Sequence, residues 1–501
     1  MKLQGLRRRS RSGATWFIRF LGSERCFYII VICFVLQALW LAATARYPMA
    51  FDENFHFGLI QLHADQWLPF FTHQPANADS FGAIARDPSY LYHFLMSVPY
   101  RLIRLITPNT AAQIIILRIM NIALFTSGFV LFRRLLLRLG GSRPLVHTCL
   151  LLVSLLPIVP FLAAQINYDN LLFPVTAGTL LLVFAWSDAL RAGKLTFAQS
   201  SLLASLLLLA CLIKYAFLPI LAAVATIMAW QLWGQRRHWA ALWSGTLAGL
   251  RRSPAVTVAM GLLLVVSIGL FSERYVVNTV RYHTPIPDCA QVLSVADCSQ
   301  YGPWQRDYVY AQQKPSEFKP SLYDYVGDWL HGMWERSLFA ISDTYVTMPP
   351  LPIIGWTASI VAILGGALFL RYGRRILADH PYRQYMLAIL AVYTLTLFVY
   401  IYRAYAKTGV AVAVNGRYLV PFLPIIFLYA GLGFSKLLRK RPALKAAAAL
   451  IVFLFFLQGG GALTFTVQSD PTWNWQSAPV VNANSAARKV LHPLIAGSRQ
   501  P

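Results

Sequence analysis

Long apolar runs dominate this chain, and the polar residues are confined to the gaps between them. Eleven such runs stand out, at 27–45, 112–132, 145–163, 171–187, 197–213, 216–233, 255–271, 351–370, 384–402, 418–434 and 445–465. Each is close to the ~20 residues that carry a helix across a hydrocarbon core of roughly 30 Å. Backbone groups in lipid must be satisfied within their own segment, so the runs read as helices. The pattern predicts an all-α polytopic membrane protein of about 11 transmembrane helices. A twelfth segment, PSYLYHFLMSVPYRLIRLITP (88–108), is apolar but broken by Pro99 and carries Arg101 and Arg104. It reads as a helix lying on the membrane surface, with its arginines towards the headgroups.

Composition supports this class. Of the 501 residues, 57% are hydrophobic and 13% charged, against about 25% charged in a soluble domain. The basic start, MKLQGLRRRSRSG, leads into an apolar run without a convincing cleavage site, so the first helix reads as retained rather than as a signal peptide. A net charge of +25 would suggest nucleic acid in a soluble protein. Its distribution argues otherwise. With the N-terminus in the cytoplasm, six segments fall inside and, counting Lys445 at the edge of the last run, hold 26 of the 44 Lys and Arg but only Glu24, Asp188 and Asp379 of the 19 acids. That leaves about +23 inside, the positive-inside pattern at every loop. The charge therefore points to topology and membrane lipids as partners, not to nucleic acid.

The implied organisation is a basic cytoplasmic N-terminus (1–26), a membrane module (27–435), a last loop and helix (436–465) and an extracytoplasmic tail (466–501). Two outside loops, 46–111 and 272–350, are long and rich in aromatics and are expected to form a small cap. Cys289 and Cys298 lie close together in the second, where an oxidising compartment favours a disulfide. No internal repeat of the kind common in transporters is apparent.

The acids on the outer side are not scattered. Asp52 and Glu53 follow the first helix in FDENFHF, together with His56. Asp87 opens DPSYLYHF, with Tyr90 in the same motif. Asp169 sits in the turn QINYDNLLFP, Lys214 in CLIKYAFLP, and Arg417 and Tyr418 in NGRYLVPFLP. All fall on one face of the membrane in this topology, and ionisable residues at membrane depth are functional candidates. Blander readings exist for each: helix caps for Asp52, Glu53 and Asp169, snorkelling for Lys214, and a helix-end anchor for Arg417.

These motifs carry a resemblance. The acidic pair in a long first outside loop resembles the GT-C membrane glycosyltransferases, and DPSYLYHFL is similar to the HPPLYY-like segment of several bacterial branches, with Asp87 in place of His. FDENFHF, QINYDNLLFP, CLIKYAFLP and NGRYLVPFLP, in that order over roughly 27–435, resemble more closely the bacterial domain-of-unknown-function family 2142. The resemblance implies a GT-C-like fold in a bacterial inner membrane. Its active site would face the periplasm and use a polyprenyl-phosphate-linked sugar as donor and a glycan or lipid as acceptor. On that reading Asp52, or Glu53, is the base that activates the acceptor hydroxyl. Arg417 and Lys214 stabilise the leaving phosphate, and His56, Asp87, Tyr90, Asp169 and Tyr418 contribute to substrate binding. Trp67, Tyr90 and Tyr92 are expected as platforms for sugar rings. A divalent metal, Mg or Mn, on Asp52, Glu53, His56 or Asp169 is left open. Two rivals remain: an O-antigen-type polymerase or ligase using Arg274, Arg281 and Arg306, and a transporter or lipid flippase. The second would place charges mid-helix, where Arg118 is the nearest case.

Overall fold

The computed structural model describes residues 13–50, 52–236, 253–338, 352–439 and 441–494. The basic run at 7–11, Arg251 and Arg252, the stretch 339–351 and the end of the tail lie outside them. Every named element is helical, and eight helices are long and apolar enough to cross a membrane. These are Glu24–Thr44, Thr110–Arg138, Asp169–Arg191, Tyr215–Gly234, Pro254–Tyr282, Ile354–Ala378, Pro381–Thr408 and Gly416–Leu437. Three shorter apolar helices, Arg143–Leu155, Phe197–Ile213 and Pro442–Leu457, fall on the remaining expected runs. The protein is thus a multi-pass helical membrane protein.

Local chemistry sets several boundaries. Ser23 caps Glu24–Thr44 by accepting from Cys26 N at 3.2 Å, and Asn109 caps Thr110–Arg138 through Ala112 N. A reciprocal Thr196–Gln199 capping box opens Phe197–Ile213. Where helices pack closely, small residues make room. Gly128 admits Phe173 between Thr110–Arg138 and Asp169–Arg191, where an added Cβ would meet the ring at 2.3 Å. Phe125 stacks on that same ring at 4.2 Å. Gly365 against Ala430 and Gly433 against Leu368 bring two further helices together.

The segment expected at the membrane surface is the helix Leu91–Ile106, with Pro99 inside it. Both of its arginines have partners within the protein. Arg101 turns inward and donates to the carbonyls of His63, Ala64 and Gln66, closing the C-terminus of the helix Glu53–Ala64. Arg104 pairs with Asp65 at 3.1 Å. Bare carbonyls at a helix C-terminus are good acceptors for a guanidinium.

The second long loop folds into short helices, among them Gly302–Gln313 and Leu322–Leu338, and the disulfide Cys289–Cys298 closes within it. Tyr301 packs on Phe55 of the first loop, and Tyr325 and Trp329 join Ile401 and Tyr405 in a satellite core. The tail returns to the end of the first helix: Trp475 N donates to Thr44 O and Arg46 N to Trp473 O.

Candidate functional site

Asp52 occupies the position before the helix Glu53–Ala64 in a left-handed conformation, φ 69°, and its side chain makes no cap hydrogen bond. Asp tolerates this region better than most residues, but it remains a local strain. The carboxylate instead accepts from Arg417 Nη2 at 3.0 Å. The two differ in access: the Asp52 side chain is 54% exposed and Arg417 7%.

The motif NGRY explains how Arg417 arrives there. Asn415 Oδ1 accepts from Arg417 N at 3.0 Å and fixes the turn. Gly416 lets that turn press on the helix Leu322–Leu338, because a Cβ would lie 2.0 Å from Ser337 Oγ and 2.5 Å from Met333 O. Tyr393 donates its hydroxyl to Tyr418 O at 2.7 Å and anchors the far side.

A second ion pair stands alongside. Lys214, in the break between Phe197–Ile213 and the turn Tyr215–Phe217, donates to Asp169 Oδ1 at 2.6 Å, and both side chains are buried. Asp169 opens its helix, with its own N–H held by Asn167 Oδ1 at 2.9 Å. The Lys214 ammonium lies 4.4 Å from the centre of the Tyr168 ring and 4.8 Å from that of Tyr418, and Arg417 lies 5.4 Å from Tyr418. Tyr418 therefore contacts both cations and joins the two pairs into one cluster. The structure brings together Asp52, Asp169, Lys214, Arg417 and Tyr418.

Glu53 has a different environment from its neighbour. Its Oε1 accepts from Arg118 Nε at 2.8 Å and Ile166 N at 3.1 Å, and its Oε2 from Arg118 Nη2 at 2.7 Å and Met49 N at 2.8 Å. Arg118 Nη1 donates to the carbonyls of Ala42 and Ala45. Both side chains are fully buried. The pair ties the end of the first helix to Thr110–Arg138 and to the turn before Asp169.

His56 is also buried, with its ring edge-on to Tyr168 at 4.5 Å. Its Nδ1 and His93 Nε2 share a hydrogen bond of 2.9 Å, and the His63 ring lies parallel to that of His93 with centroids 6.4 Å apart. Burial holds all three imidazoles below their ordinary pKa, with Arg417 and Lys214 adding to the effect at His56. His63 is lowered to about 3.

Asp87 and Tyr90 belong to a neighbouring cluster rather than to this one. Asp87 Oδ1 accepts from Ser89 N at 2.8 Å, and burial raises its carboxyl above the usual range. Tyr90 faces Arg274, whose guanidinium lies 5.3 Å from its ring and is paired with Glu273. Ser89 Oγ accepts from Tyr215 N at 3.1 Å and connects the two clusters. Tyr92 offers no open ring face, being fully buried with its hydroxyl on Asn121. Trp67 is exposed, and Arg101 lies 4.3 Å from the centre of its ring.

Of the residues named for a divalent ion, Asp52, Glu53 and Asp169 each face a cation and His56 Nδ1 bonds His93, while Asp169 Oδ2 and His56 Nε2 have no hydrogen-bond partner. Among the described residues no three His, Cys, Asp or Glu side chains form a metal-binding group. Of the groups that build the site, His93, Tyr168 and Asn121 gave no signal in the sequence. Arg118 did, as a lone arginine in an apolar run.

No family model matches the chain, and no curated protein matches it. The functional reading therefore rests on the geometry of this cluster.

Proposed function

We propose that the protein is a membrane glycosyltransferase of the GT-C type. It would move a sugar from a polyprenyl-phosphate donor to a glycan or lipid acceptor on the extracytoplasmic face of a bacterial inner membrane. The topology belonging to this reading has eleven spans and a cytoplasmic N-terminus. One observation carries it: a half-exposed carboxylate, Asp52, is held 3.0 Å from a buried guanidinium, Arg417, with the ammonium of Lys214 beside the same tyrosine.

The chemistry follows from that juxtaposition. The donor phosphate replaces the Asp52 carboxylate as the partner of Arg417, which frees Asp52. Asp52 takes the proton of the acceptor hydroxyl as its oxygen attacks the anomeric carbon. The bond from that carbon to the phosphate oxygen breaks, with inversion, and polyprenyl phosphate leaves with one more negative charge. Arg417 and Lys214 stabilise that charge in a site where little water dilutes the interaction. Glu53 has no such role: all its contacts are committed to Arg118 and to two backbone N–H groups. The arginines of the polymerase rival each meet a neighbour of their own, Arg274 with Glu273, Arg306 with Asp307 and Arg281 over Tyr282.

Purified protein incubated with polyprenyl-phosphate hexoses and pentoses tests this reading through release or transfer of the sugar. Asp52→Asn keeps a residue that tolerates the left-handed backbone. It is expected to lower turnover by about 10²- to 10⁴-fold with only a small fall in the melting temperature, because the amide oxygen still accepts from Arg417. Wild-type turnover in that variant would remove Asp52 as the base.

A further inference from the structure

A groove of about 550 Å³ lies between Glu24–Thr44, Arg143–Leu155 and Pro442–Leu457 and shares no residue with the charged cluster. The first helix lines it with one stripe, Ile29, Cys33, Leu36 and Trp40, and Pro442–Leu457 with Ala449, Phe453 and Leu457. Both Cys26 and Trp40 belong to its wall, so it runs about 21 Å along the helix, most of the roughly 30 Å hydrocarbon core. Its polar side chains are committed to backbone. Gln37 Nε2 donates to Cys33 O and its Oε1 accepts from Ala462 N, while the hydroxyls of Thr148, Ser154 and Thr466 donate to carbonyls three or four residues back. Burying a polar ligand there would be costly, so the groove suits hydrocarbon. A methylene fills about as much space as a water molecule, so at roughly 30 Å³ each the 550 Å³ holds about 18 carbons. That is one fatty-acyl chain; a polyprenyl chain is several times longer.

The rim adds charge at one end. The residues after Pro442–Leu457 meet Gln37, in the second half of the first helix, so the beginning of Pro442–Leu457 lies towards Glu24. There Arg25 stands one turn before Ile29 and Lys445 one turn before Ala449, each extending a lining stripe past its apolar part. Neither forms an ion pair among the described residues. Arg143, which opens the third wall, shares the single carboxylate of Glu24 with Arg133. Cations between helices at headgroup level are the complement of a lipid phosphate. We propose that this groove holds one acyl chain of an anionic glycerophospholipid, with its phosphate on Arg25 and Lys445 and its second chain in the bilayer. The bound chain joins Glu24–Thr44 to Pro442–Leu457.

Native mass spectrometry of the whole protein in mild detergent, with phosphatidylglycerol and phosphatidylcholine of identical chains added, reads lipid retention directly. The wild type is expected to retain phosphatidylglycerol preferentially, and Arg25→Gln and Lys445→Gln each to lower that preference about fivefold. Cys33→Trp puts a large side chain into the groove and should lower retention of both lipids. Ile32→Trp, exposed on the same helix but outside the groove, should lower neither. Melting temperatures report whether the tryptophan variants fold, and the two rim variants decide alone if Cys33→Trp does not. Equal retention of the two lipids by the wild type would overturn the proposal, as would full retention in Cys33→Trp or an equal loss in Ile32→Trp. A stronger preference for added polyprenyl phosphate would overturn the assignment to a glycerophospholipid. A dimer that is lost in Cys33→Trp while lipid is kept would make a second copy of the chain the occupant instead.

Discussion

The helix Glu24–Thr44 has a charged cluster near each end, and the two are built differently. At the Glu24 end, Glu24 meets Arg133 and Arg143, Asp188 meets Arg138, and Asp379 meets Lys436 at 2.6 Å. The acids there remain 45–48% exposed. At the other end, Glu53–Arg118 and Asp169–Lys214 are buried on both sides, and Arg417 is buried beneath Asp52. Exposed pairs form wherever opposite charges meet in water and contribute little. Buried pairs lose hydration that the ion pair only partly returns. Glu53 and Arg118 recover it through hydrogen bonds from backbone N–H groups and to backbone carbonyls, whereas Asp169 keeps one oxygen without a partner. The first arrangement secures the fold. The second leaves a buried carboxylate oxygen without a hydrogen bond.

The largest effect that would sharpen this contrast is at the structural pair. Arg118→Met leaves the Glu53 carboxylate buried and unpaired, and is expected to cost about 3–5 kcal/mol, read as a large fall in melting temperature and folded yield. An Arg118→Met variant as stable as wild type would break the distinction. Next comes Lys214→Met, which leaves Asp169 buried without its cation. On the proposed reading, transfer should fall with a weaker apparent affinity for the polyprenyl-phosphate donor, the KM rising more than kcat falls. A loss confined to melting temperature, with KM unchanged, would return Lys214 to a structural role.

Acidification acts on the histidines of the same end. His56, His63 and His93 are held neutral in the folded protein, while the unfolded chain takes up protons near pH 6.5. Their depressed values mean that stability is fully present above about pH 6.5 and is lost as pH falls towards about 3, where His63 titrates in the fold. Melting temperatures measured from pH 7.5 down to 5 should fall, and His63→Phe should flatten the slope. A flat or rising profile in the wild type would contradict the burial of these rings. The smallest effect belongs to the exposed end. Arg138→Ala should leave transfer unchanged and the melting temperature close to wild type, and a large loss there would show that the two ends are not so different.

Much of the fold was legible because lipid imposes one answer on an apolar run. Eight of the runs carry helices long and apolar enough to cross a membrane and the other three carry shorter apolar helices, and the loop cysteines meet in a disulfide. The site was legible in part. Asp52, Asp169, Lys214 and the adjacent Arg417 and Tyr418 come from four stretches tens to hundreds of residues apart, yet ionisable groups at the ends of apolar runs mark themselves without any knowledge of contacts. His93 and Tyr168 do not, since an isolated histidine or tyrosine near a helix start carries no pattern until a neighbour is known.

The sequence by itself determined that this is a helical membrane protein and which charged residues must be accounted for, because hydration cost depends on residue type and on the length of the run. Only the tertiary structure decided what each charge does. Asp52 and Glu53 are adjacent and equally acidic. One meets Arg417 at an exposed edge and the other disappears into a closed set of hydrogen bonds with Arg118. Pairing is set by distance in space, over separations of 365 and 65 residues, and no local pattern encodes it.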